Sequence, residues 1–120
     1  GLEGEADLDV EALRRAVFNL ADNALRHSGS KQIELQFEAD AKQVEIRLRD
    51  HGKGMPEGSE ERIFRPFEQL NPGSTTGKGA GLGLAIVAEI ARAHGGQVKA
   101  RNLADGGALF ILSLPRHHAS

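Results

Sequence analysis

The sequence predicts an α+β domain, one sheet with helices packed against one face. Three observations carry the prediction. An amphipathic stretch opens the chain, two pairs of alternating runs are each joined by a short turn, and a glycine-rich segment between the pairs feeds a second amphipathic stretch. Strands that arrive in hairpin-like pairs fit an antiparallel arrangement better than parallel βαβ alternation.

Asp9 is an N-cap candidate for a helix running to about His27. Leu13, Val17, Leu20 and Ala24 recur at helical spacing and form one apolar stripe, with Phe18 and Leu25 as a second apolar flank, so this helix is expected to be well buried. At about 100° per residue, Asn19, Asn23 and Arg26 share a different face, with His27 on its border. After the break "SGSK", the run "IELQF" puts Ile33, Leu35 and Phe37 on one face of a strand, and "VEIRL" does the same for Val44, Ile46 and Leu48. The chain from Met55 to Lys78 is mostly irregular, with a short helical segment around Glu60–Phe64. A helix from about Leu82 to His94 buries Leu84, Val87, Ile90 and Ala91 and stops at "HGG". "QVKARN" and "ALFILSLP" close the fold as strands around an "ADGG" turn, and the tail after Pro115 frays.

The 120 residues are enough for one core, so residues 1–120 read as one domain with a structured part of about 9–115. The opening "GLEGEADLD" lacks Met and reads as the start of an excised piece. Fifteen basic against 17 acidic residues leave a formal charge of -2, which gives no reason to expect nucleic acid or an anionic membrane surface as a partner. There is no Cys, so no disulfide and no thiolate metal site, which suits a reducing compartment. No apolar run approaches the roughly 20 residues of a membrane helix.

Taken singly, the chemistry-bearing features stay open. The run "GKGAGLGLAI" could present backbone N–H groups to a phosphate at a helix mouth, or simply connect two elements; it is neither the Walker pattern nor the dinucleotide fingerprint. Asn19 and Asn23 could offer amide oxygens to Mg²⁺ or cap nearby loops, and the cap is the commoner role. Arg26 and Lys78 could hold phosphate or be solvated surface, His27 could stack on a base or pack at the core's edge, and the Phe pair of "IFRPF" reads as a loop anchor. In "DHGKGMP", Asp50 could accept a hydrogen bond from an exocyclic amine or close an Asp-Gly turn.

In order, "NLADNALRHS", "DHGKGMP", "IFRPFEQ" and "GKGAGLGLAI" resemble the ATP-binding catalytic domain of sensor histidine kinases, within the wider superfamily of gyrase, heat-shock chaperone and mismatch-repair ATPases. The likeness runs from about Asp9 to Pro115. It implies a two-layer α/β sandwich, the Bergerat fold, with a mixed, mostly antiparallel sheet under about three helices, and ATP with Mg²⁺ as the cofactors.

By position, the resemblance makes Asn23 the main Mg²⁺ ligand with Asn19 in support, sends Arg26 to the phosphates and puts His27 at the base or ribose. Asp50 would accept the adenine amine while Gly52 and Gly54 clear the ring. Phe64 and Phe67 would tether a lid over 68–78 that ends at Lys78. Gly79, Gly81 and Gly83 would face the phosphates, with Leu82 and Leu84 packing the helix behind them. Ala80 and Ala108 stand where hydroxyl residues are common, and Gln69 where a basic residue is frequent.

Hydrolysing members of the superfamily typically carry a Glu where this chain has Asn19, so phosphoryl transfer is implied with little hydrolysis. None of the five His is followed by an acid, so the acceptor histidine is expected on a separate helical dimerisation domain, with a response regulator downstream. The resemblance implies a cytoplasmic module, free-standing or the cytoplasmic part of a membrane-bound sensor, and the isolated module is expected to be a monomer that does not phosphorylate itself and makes no direct membrane contact.

Overall fold

Asp9 caps the first helix as its sequence position suggests. In the computed structural model, which describes residues 9–27, 32–65 and 83–115 and of His27 only the backbone, its Oδ1 accepts the N–H groups of Glu11 and Ala12 at 3.0 and 3.2 Å. Helix α1 then runs over Val10–His27. Ala16, Leu20 and Ala24, four residues apart, are fully buried, with Leu13 and Val17 half-buried beside them. The second apolar flank does not bury: Phe18 is 66% and Leu25 50% exposed. Two residues along a helix is a turn of about 200°, so Phe18 points away from the side that Ala16 and Leu20 commit to the core.

Four strands follow the alternation in the sequence: β1 (Ile33–Ala39), β2 (Gln43–Asp50), β3 (Gln97–Asn102) and β4 (Ala108–Pro115). Their order across the sheet is β1-β2-β4-β3. Among the described residues every pairing is antiparallel, and the helical elements are α1, α2 (Gly83–Ala93) and a 3₁₀ turn at Arg62–Phe64. The central strands carry the core: Ile46 lies opposite Leu112 and Leu48 opposite Phe110, all buried beneath the helices. In β1 the register sets Leu35 beside Leu48 and Phe37 beside Ile46, yet both stay exposed. Among the described residues β1 is an edge strand and α1 packs chiefly against α2, so the helices cover little of it.

Helix α2 ends in a Schellman motif. The N–H of Gly96 reaches Ala91 O at 2.7 Å and that of Gly95 reaches Arg92 O at 3.0 Å, with Gly95 at φ +78°. His94 joins the two helices: its Nδ1–H donates to Ile90 O (2.8 Å) and its Nε2 accepts the Asp9 N–H (3.2 Å). The start of α1 is thereby tied to the end of α2.

Candidate functional site

The two-residue period of β2 puts Asp50 on the core face, in line with Ile46 and Leu48, and the carboxylate is 2% exposed. A charged side chain there must be compensated. Its Oδ1 accepts two main-chain N–H groups, from Gly52 at 3.0 Å and from Ala108 at 3.1 Å. Among the described residues no hydrogen bond reaches Oδ2. Among these residues the acid is held by one oxygen alone.

The loop after Asp50 is fastened to the β3–β4 hairpin. Asn102, the last residue of β3, accepts the Met55 N–H at Oδ1 (2.8 Å) and donates through Nδ2 to Met55 O (2.9 Å). Gly54 passes directly over that amide at φ +78°; a Cβ there would lie 2.7 Å from Asn102 Oδ1. Gly107, at φ +84°, fits against Asp50 so closely that a Cβ would lie 2.1 Å from the Asp50 carbonyl oxygen. Farther on, Ser59 Oγ donates to Pro56 O (2.6 Å), and buried Ile63 and half-buried Phe64 anchor the segment. The Phe64 ring meets Phe110 edge-on, with centroids 6.4 Å apart at 88°.

The second cluster lies where α1 meets the start of α2. Asn19 is half-buried, and its Nδ2 donates to Arg15 O at 2.9 Å, while among the described residues Oδ1 has no hydrogen bond. Gly83, the first residue of α2, faces it: a Cβ there would be 3.5 Å from Asn19 Oδ1. Asn23 is half-buried one turn along, and Leu84 is buried. Arg26 is exposed and pairs with Asp22 at 3.0 Å, an i,i+4 ion pair on the outer surface of the helix.

Of the residues singled out in the sequence, Asp50, Gly52, Gly54 and Phe64 therefore gather around one loop, and Asn19, Asn23, Gly83 and Leu84 around one helix pair. Phe67, Lys78, Gly79, Gly81 and Leu82, the lid over 68–78, and the side chain of His27 lie outside the described residues. Asn102 and Gly107 were missed. The signal was the double glycine of "ADGG", legible as a turn, though no sequence feature says which strand that turn leans on.

A recess of about 340 Å³ lies at the opposite end of β2, lined by Glu38, Ala39, Asp40, Gln43 and Glu45. Three acids make it a poor seat for phosphate. Among the described residues no three His, Cys, Asp or Glu cluster as a metal cage, and no helix is long and apolar enough to cross a membrane.

Comparison with known proteins matches residues 8–118 to the family of histidine kinase-, DNA gyrase B- and HSP90-like ATPases. The signal transduction histidine-protein kinase AfsQ2 of Streptomyces coelicolor is 40% identical over 111 residues, covering 92% of this chain and 21% of the relative. The crystal structure of the ATP binding domain of PrrB from Mycobacterium tuberculosis aligns with a TM-score of 0.70 at 35% identity, covering 92% of this chain and 69% of that one. The mycobacterial sensor histidine kinase MprB aligns at 0.77 and 28% identity, over 95% of this chain and 78% of that one. The chain spans about a fifth of the length of curated relatives such as AfsQ2 and PrrB. With that match across nearly its whole length, the α+β domain built around Asp50 belongs to the histidine kinase-, gyrase B- and HSP90-like ATPase family, on its sensor histidine kinase branch.

Proposed function

We propose that this chain binds Mg²⁺–ATP and donates the γ-phosphoryl group to a histidine on a separate helical domain of a cytoplasmic sensor-kinase assembly, from which a response regulator is charged. One observation supports it above the others: Asp50 is buried on the core face of β2 with one carboxylate oxygen held by two backbone N–H groups and the other without a hydrogen bond among the described residues. An acid kept only to close a turn has no reason to be held so far inside. Oδ2 of Asp50 accepts the exocyclic amine of adenine, and Gly52 and Gly54 let the backbone run close to the ring. Lys53 between them is exposed and takes no part.

The donor set suits Mg²⁺ as far as an amide site can. Asn19 has its nitrogen committed to Arg15 O, so its oxygen is the end turned to a ligand, and Asn23 supplies a second amide one turn on. With no cluster of three acids among the described residues, such an ion would keep waters and phosphate oxygens in its shell. Bound there, Mg²⁺ supplies charge neutralisation on the phosphates. The protein's own part is positioning: the start of α2 at Gly83 offers backbone N–H groups, and Asn19 lies against it. Asn19 has no basic atom to take a proton from water, so transfer is favoured over hydrolysis. Arg26 reaches phosphate by releasing Asp22, an exposed pair that costs little to open.

The test is a Mg²⁺–nucleotide titration. ATP and ADP bind, Asp50→Asn weakens adenine nucleotides by about 10-fold or more, and Lys53→Ala changes little. Absence of binding, or an unchanged Asp50→Asn variant, refutes the site. A second reading, a nucleotide-holding interaction module without transfer, draws on buried Ala108, whose methyl group makes no hydrogen bond to a ligand. Label from γ-phosphate appearing on a supplied acceptor domain decides for the kinase.

A further inference from the structure

We propose that Asn102 is a positioning residue for the adenine end of the site and sets its selectivity for the base. The inference rests on the nucleotide reading above. Asn102 and Ala108 are directly paired across the β3–β4 hairpin, and each holds one side of the loop that follows β2. Ala108 donates its N–H to Asp50 Oδ1, which fixes the acid. Asn102 grips Met55 through both its N–H and its C=O, which fixes the returning backbone five residues on. One hairpin end therefore sets the gap between the acid and the Gly54–Met55 backbone.

The side chain is matched to this task. A carboxamide carries a donor and an acceptor side by side, as a peptide group does, so it pairs with one residue's N–H and C=O together. A hydroxyl or a carboxylate cannot make both bonds at once in the same way. Gly54 is matched to it in turn, because any side chain there would meet Asn102 Oδ1 at 2.7 Å. The link spans 47 residues of sequence, so it joins two segments that local structure leaves independent. Among the described residues the Asn102 side chain hydrogen-bonds only to this backbone, and it acts on the base through it.

Affinities for Mg²⁺–ATP and Mg²⁺–GTP are measured on the wild-type chain, Asn102→Ala, Asn102→Asp and Arg101→Ala. Loss of both bonds frees the loop, so Asn102→Ala weakens ATP by about 10-fold and lowers the ATP-to-GTP affinity ratio, a readout that a purely structural role would not move. Arg101→Ala, exposed on the same strand, matches wild type. Asn102→Asp keeps the acceptor for Met55 N–H but sets an oxygen against Met55 O. Its ATP affinity relative to wild type rises as pH falls and the carboxyl becomes a donor, while that of Asn102→Ala stays flat. If the wild-type chain binds no ATP, the nucleotide reading fails. If it binds and Asn102→Ala keeps the wild-type ATP-to-GTP ratio, whether or not ATP affinity falls, the role of Asn102 is refuted. Should Asn102→Ala not fold, a pH-independent Asn102→Asp ratio refutes it equally.

Discussion

Replacing Gly107 by alanine tests the joint between Asp50 and the β3–β4 turn. The new Cβ would lie 2.1 Å from the Asp50 carbonyl oxygen, 2.9 Å from its carbon and 3.1 Å from His51 Cα, all of them backbone atoms that no rotamer change can move. Relieving the shortest contact needs a shift of about 1 Å. That carries the Ala108 N–H, now 3.1 Å from Asp50 Oδ1, out of hydrogen-bonding range. A left-handed φ for alanine costs about 1–2 kcal/mol, and a lost bond to a charged acceptor costs about 1.5–3 kcal/mol. The sum is about 2.5–5 kcal/mol, or roughly 10–20 °C in Tm for a domain of this size. Gly106 supplies the control. It too has positive φ, +105°, but a Cβ there meets nothing within 4 Å, so Gly106→Ala should lose only the backbone part, about 1–2 kcal/mol. Denaturant unfolding of both variants reads the difference. If Gly107→Ala unfolds with the same free energy as Gly106→Ala, the close fit against Asp50 is not what holds the turn.

Other outcomes follow from burial and charge. Leu20→Ala empties a fully buried position between α1 and the sheet and should cost about 2–5 kcal/mol in urea unfolding. Phe18→Ser, on the exposed side of the same helix, should shift stability by no more than about 0.5 kcal/mol. Arg49 Nη2 meets both carboxylate oxygens of Asp105, at 2.9 and 3.0 Å, and this contact lowers the Asp105 pKa below the ordinary carboxylate value. A lowered folded-state pKa stabilises above the unfolded value, and the contribution is lost as pH falls through the folded one. The Tm gap between wild type and Asp105→Asn should therefore be present at neutral pH and close on acidification below about pH 4.

Much of the fold is legible in the periodicities. The spacing of Leu20 and Ala24, the alternation of Val44, Ile46 and Leu48, and the glycines after His94 name their elements because each depends on neighbours within a few residues. Burial of Phe18 and Leu25 could not be read that way. An apolar residue on a helix flank is buried only if something packs there, and α1 turns its Ala16–Leu20–Ala24 side to the sheet and to α2. The candidate site divides along the same line. Asp50 and the two asparagines stand out in the chain because an acid on the inward phase of a strand, or amides on an apolar helix, contradict their surroundings. The partners that hold Asp50 and its loop, Ala108, Gly107 and Asn102, are an ordinary hairpin end until the sheet order β1-β2-β4-β3 brings β4 alongside β2. Residue types and their periods are properties of the chain and declare where a charge or a turn must be. Which backbone N–H answers that charge depends on strand order and register, a contact across 58 residues that exists only in the folded sheet.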